Sequence, residues 1–306
     1  MPTIAAPQTA ADQSLLIEPL DDAAQVHLSM VLPTFNEGAN IVAALEQLMA
    51  RLDTVPGLAY EIIVVDDDSP DRTWEIAERL AETRPQVRVL RRQTERGLST
   101  AVIRGWQLAR GRILGVMDAD LQHPPEVTEE LWKEMARGAE LAIASRHVEG
   151  GGVSDWSLAR RIISRCAQLI GLAILPEVTA RVSDPMSGYF MIARKCIAGR
   201  QLNPLGYKIL IEVLGRGKVG WISEVPYTFR ERVEGSSKVT NKIYLEYFQH
   251  LLRIRMYLLK SSSFVRFCVV GLSGVVIDMS LLFLLSDPRM LGWGLTRSKI
   301  IAAEAA

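Results

Sequence analysis

The first half of the chain alternates strand-like apolar runs with segments whose apolar residues recur at helical spacing. This alternation is typical of βαβ units, in which helices cover both faces of a parallel sheet. We therefore predict an α/β fold with a mostly parallel sheet. Its strands would include VHLSMVLPT (26–34), EIIVVDD (61–67), QVRVLRR (86–92), RILGVMD (112–118) and ELAIASR (140–146).

Polar segments follow the ends of these strands. In open sheets of this kind, ligands bind beyond the carboxyl ends of the strands. We therefore expect one edge of the sheet to carry most of the chemistry. The segments are PTFNE (33–37), DDDSPD (66–71), DADLQH (118–123) and SRHVEGG (145–151).

The pattern D-x-D after the fourth strand indicates a metal site. Asp118 and Asp120 point to the same side of an extended chain, so both can reach one hard cation. Mg²⁺ or Mn²⁺, held by carboxylates and otherwise by phosphate oxygens, suits them, and Gln122 could add a neutral oxygen. His123 is as well suited to capping or packing as to metal binding. Solvated strand-end aspartates produce the same pattern, so this alternative stays open.

A second acidic cluster ends the strand at 61–67. Asp66, Asp67 and Asp68 are adjacent carboxylates that repel one another, so a site there would offer them to donors such as nucleobase N–H groups and ribose hydroxyls. The following residues, Ser69, Pro70 and Asp71, are equally good turn and helix-cap residues. Ligand binding and a capped turn are both consistent with this cluster.

The sequence lacks several motifs that would indicate other functions. It has no G-x-G-x-x-G after the first strand, no P-loop, no G-x-S-x-G elbow and no zinc-ligand spacing. Lysine plus arginine and aspartate plus glutamate number 35 each, so no global charge attracts nucleic acid, and none is predicted as a partner. Cys166, Cys196 and Cys268 lie far apart, which favours a reducing compartment.

Several motifs resemble the family 2 glycosyltransferases of GT-A fold. They are PTFNE (33–37), VVDDDSPDRT (64–73), RGLSTAVIRG (96–105) and DADLQHPPE (118–126). Within that family, a further set is similar to the polyprenol-phosphate (dolichol-phosphate) mannose synthases: SRHVEGGGV (145–153), DPMSGYF (184–190), YKILIEVL (207–214) and FRERVEGSSK (229–238). The resemblance covers about 25–240. It implies a Rossmann-like GT-A catalytic domain.

The resemblance also implies a reaction. A mannosyl residue would pass from GDP-mannose to a polyprenyl or dolichyl monophosphate with inversion at the anomeric carbon, assisted by Mg²⁺ or Mn²⁺. Two alternatives remain: transfer from UDP-glucose or another nucleotide sugar, and a non-catalytic nucleotide-sugar or lipid-binding scaffold. The Q-x-x-R-W motif of processive relatives is absent.

The same resemblance assigns site residues. Metal binding falls to Asp118, Asp120 and Gln122. Asp184 and Ser187 would line the sugar pocket, and a base role for Asp184 stays open. The nucleotide sugar would contact Pro33, Asn36, Glu37, Asp66, Asp67, Asp68 and Asp118. The acceptor phosphate would contact Arg146, Arg160, Ser164, Arg232 and Lys238. This chain has VDDDS where many relatives have VDDNS or VDDGS, so the aspartate that touches the base is open.

We expect four regions along the chain. Residues 1–25 form a loose tail and 26–240 the catalytic domain. Residues 241–262 have the pattern of an amphipathic helix at a membrane surface. Residues 264–285 are apolar enough to suggest a transmembrane helix. FVRFCVVGLSGVVID (264–278) resembles the start of a GtrA-type membrane module, and we expect 263–306 to be a truncated part of it.

The expected location follows from the substrates. A lipid acceptor stays in the bilayer, and nucleotide sugars are made in the cytoplasm. The resemblance therefore implies an integral protein of a bacterial or archaeal cell membrane, with its catalytic domain facing the cytoplasm. Basic residues flank both sides of the expected crossing, so they do not decide its orientation. A homo-oligomer is compatible with the sequence.

Overall fold

The computed structural model describes residues 15–20, 25–153, 158–230, 241–261, 263–286 and 304. Within it the chain divides into two compact units, Met1–Ile254 and Arg255–Ala306. All features of the candidate site below lie in the first unit.

A seven-stranded sheet forms the centre of the first unit, in the order β3-β2-β1-β4-β7-β5-β8. The pairs are parallel except that β7 runs antiparallel to both β4 and β5. A separate short parallel pair joins β6 to β9. The strands are β1 (Leu28–Thr34), β2 (Tyr60–Asp66), β3 (Val87–Arg91), β4 (Ile113–Val116), β5 (Leu141–Ser145), β6 (Gly152–Val153), β7 (Phe190–Ala193), β8 (Ile222–Pro226) and β9 (Thr228–Phe229).

Helices follow the strands as the sequence pattern predicts. The mostly parallel α/β fold is therefore confirmed, and each of the five predicted strands is present. The helices are α1 (Ile41–Leu52), α2 (Thr73–Ala81), α3 (Leu98–Leu108), α4 (Glu126–Ala136), α5 (Leu158–Ile174), α6 (Pro176–Thr179), α7 (Ile209–Arg216), α8 (Asn241–Ser261) and α9 (Ser263–Ser286). A 3₁₀ turn covers Arg194–Cys196.

The central strands are apolar because both of their faces are covered. All seven residues of β1 are buried, as is typical of a parallel strand between helical layers. Helix α3 packs closely on this strand at Gly105, where an added Cβ would lie 2.6 Å from Val31 Cγ1. The lack of a side chain at this position therefore sets the distance between helix and sheet.

The strand order brings four polar segments to one edge. Strands β2, β1 and β4 are neighbours and parallel, so their carboxyl ends lie side by side. Because β7 is antiparallel to β4, with Val116 opposite Phe190, the segment that precedes β7 reaches the same edge. The sequence alone did not predict this reversed strand.

Residues near the N-terminus contradict part of the predicted tail. Within the range 1–25, Leu16 bridges to Gln201 and Ile17 to Ala198, and the Ile17 side chain is fully buried. The prediction of a loose tail is therefore wrong for residues 15–20. The apolar pair at 16 and 17 supplies the reason, because its burial stabilises a docked conformation.

The prediction of a membrane crossing at 264–285 is not confirmed. Helix α9 spans this stretch, but among the described residues no helix combines the length and the apolar character that a bilayer crossing requires. The predicted helix at 241–262 corresponds to α8.

Candidate active site

A cavity of about 410 Å³ opens at the carboxyl edge of the sheet. It lies where β1, β2 and β4 end. Its walls combine apolar and carboxylate side chains, so it can hold a ligand with both a ring system and charged groups. The lining residues are Pro33, Thr34, Phe35, Glu37, Asp67, Arg96, Gly97, Leu98, Ala101, Asp118, Ala119 and Asp120.

Asp118 and Asp120 line the cavity together, as the D-x-D pattern predicts. Asp118 is half-buried and Asp120 is buried. The backbone N–H of Gln122 donates to Asp120 Oδ1 at 3.1 Å, which fixes the direction of that carboxylate. Two carboxylates on one wall fit Mg²⁺ or Mn²⁺, which take oxygen ligands from few side chains and complete their shells with phosphate oxygens. In the described part of the chain, no group of three or more His, Cys, Asp or Glu side chains forms a metal cage.

Gln122 and His123 hold the loop in place. The Gln122 amide donates through Nε2 to the Arg230 carbonyl at 3.0 Å, and the Arg230 N–H donates to the Gln122 carbonyl at 3.0 Å. His123 is buried, and its ring stacks on Tyr227 with centroids 5.8 Å apart. Burial lowers the pKa of His123 to about 3, so its imidazole stays neutral. The geometry favours packing as the role of His123.

Two of the three adjacent aspartates, Asp66 and Asp68, do not line the cavity. Asp66 is fully buried and accepts hydrogen bonds from Thr34 Oγ1 at 2.9 Å and from Ser69 N and Oγ at 2.8 and 2.6 Å. Asp68 has a φ of 56° and pairs with Arg91 at 2.6 Å. The capped-turn interpretation therefore describes Asp66, whereas the structure places Asp68 in a surface ion pair.

Asp67 is the member of the cluster that lines the cavity. It accepts hydrogen bonds from Arg92 Nε and Nη2, at 2.7 and 2.5 Å, and from the Gly97 N–H at 2.7 Å. Arg92 is itself buried and also bonds the Gly97 carbonyl at 3.0 Å. This network fixes Asp67 and the loop after β3, so both present a defined surface to a ligand.

The PTFNE segment contributes unequally to the cavity. Pro33 and Glu37 line it, whereas Asn36 is exposed and has a φ of 56°. The Glu37 N–H donates to Thr73 Oγ1 at 3.0 Å, and its carboxylate accepts from Asn40 Nδ2 at 2.9 Å. The segment therefore forms a turn that is fixed against the start of α2.

Arg146 and Asp184 form a buried, bidentate ion pair. Arg146 Nε lies 2.7 Å from Asp184 Oδ2, and Nη2 lies 2.8 Å from Oδ1. The Asp184 side chain is 0 % exposed and that of Arg146 10 %. Burial opposes ionisation of Asp184, but the hydrogen bonds and charge of Arg146 outweigh it, so the pKa of Asp184 lies below its usual value. An ionised, doubly bonded carboxylate is poorly suited to act as a base, which favours a positioning role.

The segment from Asp184 to Tyr189 organises this side of the site. Ser187 Oγ donates to the Ala144 carbonyl at 2.7 Å, so Ser187 fastens the segment to β5 and is buried. Ser187 does not line the described cavity, and its predicted place in a sugar pocket stays a prediction. The Tyr189 hydroxyl bonds Thr128 of α4. Tyr189 is fully buried and packs in the core.

Comparison with known proteins shows the family of the chain. Residues 29–197 match the sequence profile of Glycosyl transferase family 2, which is more than half of the chain. The chain belongs to this family. It is a glycosyltransferase.

Two curated relatives carry the same name. The dolichol-phosphate mannosyltransferase of Pyrococcus furiosus is 45 % identical over 258 residues, which cover 84 % of this chain and 72 % of that protein. That of Saccharomyces cerevisiae is 34 % identical, covering 79 % and 92 %. Among solved structures, glucosyl-3-phosphoglycerate synthase from Mycobacterium tuberculosis with Mn²⁺ and UDP-glucose has a TM-score of 0.57, 21 % identity, and coverage of 76 % and 79 %. That likeness shows the shared fold. The resemblance to a GtrA-type module stays a prediction.

Some predicted residues of this glycosyltransferase lie outside the described part of the chain. Arg232 and Lys238 belong to residues 231–240, and the side chain of Arg160 is likewise outside it. Ser164 lies on α5 and is half-buried. Their assignment to the acceptor phosphate stays a prediction.

The sequence assigned no role to Lys208, which the structure places at the site. Its Nζ donates to the Met186 carbonyl at 3.0 Å and lies 4.3 Å from the centroid of the Tyr207 ring. Burial and the charge of Arg146 lower the pKa of Lys208 to about 7. The sequence did contain a signal for a functional Lys208, because this lysine directly precedes a buried helix within the motif YKILIEVL (207–214).

We expect Gly188→Ala to reduce turnover. An added Cβ would lie 3.1 Å from Asp118 Oδ2, so the carboxylate must shift by a few tenths of an ångström. Displacements of catalytic groups of about 1 Å cost on the order of 10²-fold in rate, and we expect a loss of about tenfold from this smaller one. Steady-state kinetics measure it. Gly271→Ala, where a Cβ meets nothing within 4 Å, is the matched control. Full activity of Gly188→Ala would show that the position of Asp118 does not limit the reaction.

Proposed function

We propose that this glycosyltransferase transfers a mannosyl residue from GDP-mannose to the phosphate of a polyprenyl lipid of the dolichyl type, with inversion. The observation that carries the proposal is the 45 % identity to a protein named dolichol-phosphate mannosyltransferase, over most of both chains. The candidate site supports it, because a cavity with two metal-type carboxylates lies beside a buried arginine–aspartate pair.

The donor nucleotide occupies the cavity in this proposal. Asp67, fixed by Arg92, and Glu37 accept hydrogen bonds from base and ribose, and the Pro33 side contributes apolar contact. Asp118 and Asp120 would hold Mg²⁺ or Mn²⁺ against the diphosphate. A divalent cation there supplies stabilisation of the negative charge that grows on the diphosphate as the sugar departs.

The acceptor is a nucleophile without a strong base. A phosphate monoester carries about 1.5–2 negative charges near neutral pH, by analogy with phosphorylated side chains. It needs cations that hold it in line with the anomeric carbon. Arg146 is the described candidate, and Asp184 fixes the direction of its guanidinium. Arg160, Ser164, Arg232 and Lys238 complete the acceptor site in this proposal.

A lipid acceptor requires contact with a membrane surface. Helices α5 and α8 support this, because they pack together through the Tyr247 hydroxyl and the Ala167 carbonyl at 3.0 Å. Both leave large apolar side chains in solvent, an arrangement typical of helices that lie in a membrane interface. They include Ile163, Leu169, Ile170 and Leu172 of α5 and Leu245, Phe248 and Leu252 of α8. The catalytic unit would then face the cytoplasm, where nucleotide sugars are made.

A transfer assay tests the proposal. Purified protein is mixed with Mg²⁺ or Mn²⁺, a short polyprenyl phosphate and radiolabelled GDP-mannose, with UDP-glucose in parallel. We expect label from GDP-mannose to move into the organic phase, and only when the lipid phosphate is present. Transfer from UDP-glucose alone would change the sugar assignment. Nucleotide-sugar binding without any product would contradict the proposed reaction.

A further inference from the structure

Lys208 is bonded to a segment that contacts both Arg146 and Asp118. The proposed reaction uses these two residues on opposite sides of the sugar. The Lys208 ammonium donates to the carbonyl of Met186 at 3.0 Å. Two residues before Met186, Asp184 pairs with Arg146. Two residues after it, Gly188 lies so close to Asp118 that a Cβ there would approach Oδ2 to 3.1 Å. One short segment therefore connects the lysine to both the donor and the acceptor sides.

Tyr227 faces the same region from the link between β8 and β9. Its side chain is 4 % exposed, and its ring stacks on His123 and lies 6.3 Å from that of Phe229. No hydrogen bond from the residues that the structure describes engages the hydroxyl. A phenol hydroxyl both donates and accepts, so a ligand hydroxyl that contacts it could form a hydrogen bond of either direction.

Contacts connect Tyr227 to both sides as well, because its ring stacks on His123, in the loop that follows Asp118, and its N–H donates to the carbonyl of Ser145, the neighbour of Arg146, at 3.1 Å. The charges of Arg146, Asp184 and Asp118 act on Lys208, and the same three act on Tyr227. In the proposed reaction the diphosphate lies on the Asp118 side and the acceptor phosphate on the Arg146 side. The group between a leaving diphosphate and an in-line nucleophile is the sugar ring.

We propose that Lys208 and Tyr227 bind the transferred sugar by hydrogen bonds to its hydroxyl groups. An ammonium offers three donors and a phenol both donates and accepts, which matches the hydroxyl groups of a hexose. The inference rests on the proposed function for the positions of diphosphate and acceptor. Sites that hydrogen-bond a substrate hydroxyl reject analogues that lack it by large factors, so this pair would also contribute to the choice of sugar.

Binding measurements on the full-length protein with Mn²⁺ test the proposal without any acceptor. Dissociation constants for GDP-mannose and for GDP are compared in Lys208→Met and Tyr227→Phe, with UDP-glucose and UDP in parallel. We expect each variant to bind the nucleotide sugar about tenfold more weakly, with the nucleoside diphosphate affected less than twofold. Lys133→Met on the surface of α4 and Tyr60→Phe, whose hydroxyl bonds Asp53, are matched controls that leave both constants unchanged.

Two results would overturn the inference. Equal weakening of GDP-mannose and GDP would place Lys208 on the diphosphate, and unchanged binding of both would leave the pair without contact to the donor. Tyr227→Phe removes a single oxygen, so it keeps the test valid if Lys208→Met fails to fold. The proposed function is tested separately by the transfer assay. If the variants show the sugar-selective loss of binding but the wild-type protein moves no sugar to the lipid phosphate, the proposed function fails and the binding inference stands.

Discussion

Asp120→Asn is expected to lower turnover by about 10³-fold, because loss of several kcal/mol of metal-borne charge stabilisation corresponds to a factor of that order. The substitution keeps the shape of the side chain and the oxygen that accepts the Gln122 N–H. It removes the negative charge that would hold a divalent cation beside Asp118. The rate constant at saturating GDP-mannose and lipid phosphate, measured over a range of Mn²⁺ concentrations, gives the effect.

The matched control is Asp53→Asn. Asp53 accepts a hydrogen bond from the Tyr60 hydroxyl at 2.6 Å and does not line the cavity formed by described residues. Its turnover should equal that of the wild-type protein. Removal of divalent cations with EDTA should also abolish wild-type transfer, and added Mn²⁺ should restore it. If Asp120→Asn kept more than a tenth of wild-type turnover, the assignment of the metal to this pair would be wrong.

Asp184→Asn is expected to destabilise the protein by roughly 3–5 kcal/mol, the usual cost of removing one partner of a buried ion pair. Asp184 is fully buried, and its two oxygens take the Nε and Nη2 hydrogen bonds of Arg146. The variant leaves a buried guanidinium opposite a neutral amide. Urea unfolding at neutral pH measures the change. Glu130→Gln, which breaks an exposed pair with Lys133, is the control and should leave the unfolding midpoint unchanged.

The stability difference between wild type and Asp184→Asn should depend on pH in one direction. The pKa of Asp184 in the folded protein lies below its usual value of 3.8. A carboxyl with a depressed folded pKa contributes stability above its unfolded pKa, and loses that contribution as the pH falls through the folded value. The difference should therefore stay constant from about pH 7 to about pH 5 and shrink below about pH 4. A difference that grew on acidification would contradict an ionised Asp184.

Under the proposed function, Asp120→Asn and Asp184→Asn should lose activity for different reasons, which stability and turnover measurements distinguish. Asp120→Asn should fold and fail in catalysis, because the asparagine keeps the shape of the side chain and the oxygen that accepts the Gln122 N–H, whereas the lost charge faces the cavity. Asp184→Asn should lose stability first, because both of its oxygens bind within the protein. Turnover of Asp184→Asn, measured where the protein is fully folded, then reports how far the direction of Arg146 matters to the reaction.

Local sequence pattern was sufficient to predict five strands of the sheet and the carboxylate pair Asp118 and Asp120 of the site. Apolar runs of strand length separated by amphipathic segments can bury their side chains only in a helix-covered sheet, so β1 to β5 are readable from their residues alone. Asp118 and Asp120 follow the end of β4 directly. The two-residue period of an extended chain places them on one side, and the structure has both on the cavity wall.

Tertiary structure decided which polar residues of the edge face a ligand. Asp66, Asp67 and Asp68 are equivalent in the sequence, but Ser69 and Thr34 bind the first, Arg92 fixes the second at the cavity and Arg91 takes the third. Each partner except Ser69 lies on another strand or beyond it. Local pattern contains no information about such contacts.

The antiparallel strand β7 is the clearest case. The sequence determined that Arg146 and Asp184 carry opposite charges and could pair, but it assigned no role to Lys208. Only the insertion of β7 between β4 and β5 brings Asp184 to Arg146, Met186 to Lys208 and Gly188 to Asp118. The periodicity of a chain reports which face of each element is buried. The order and direction of strands depend on the sum of contacts between distant segments, which no single stretch of sequence contains.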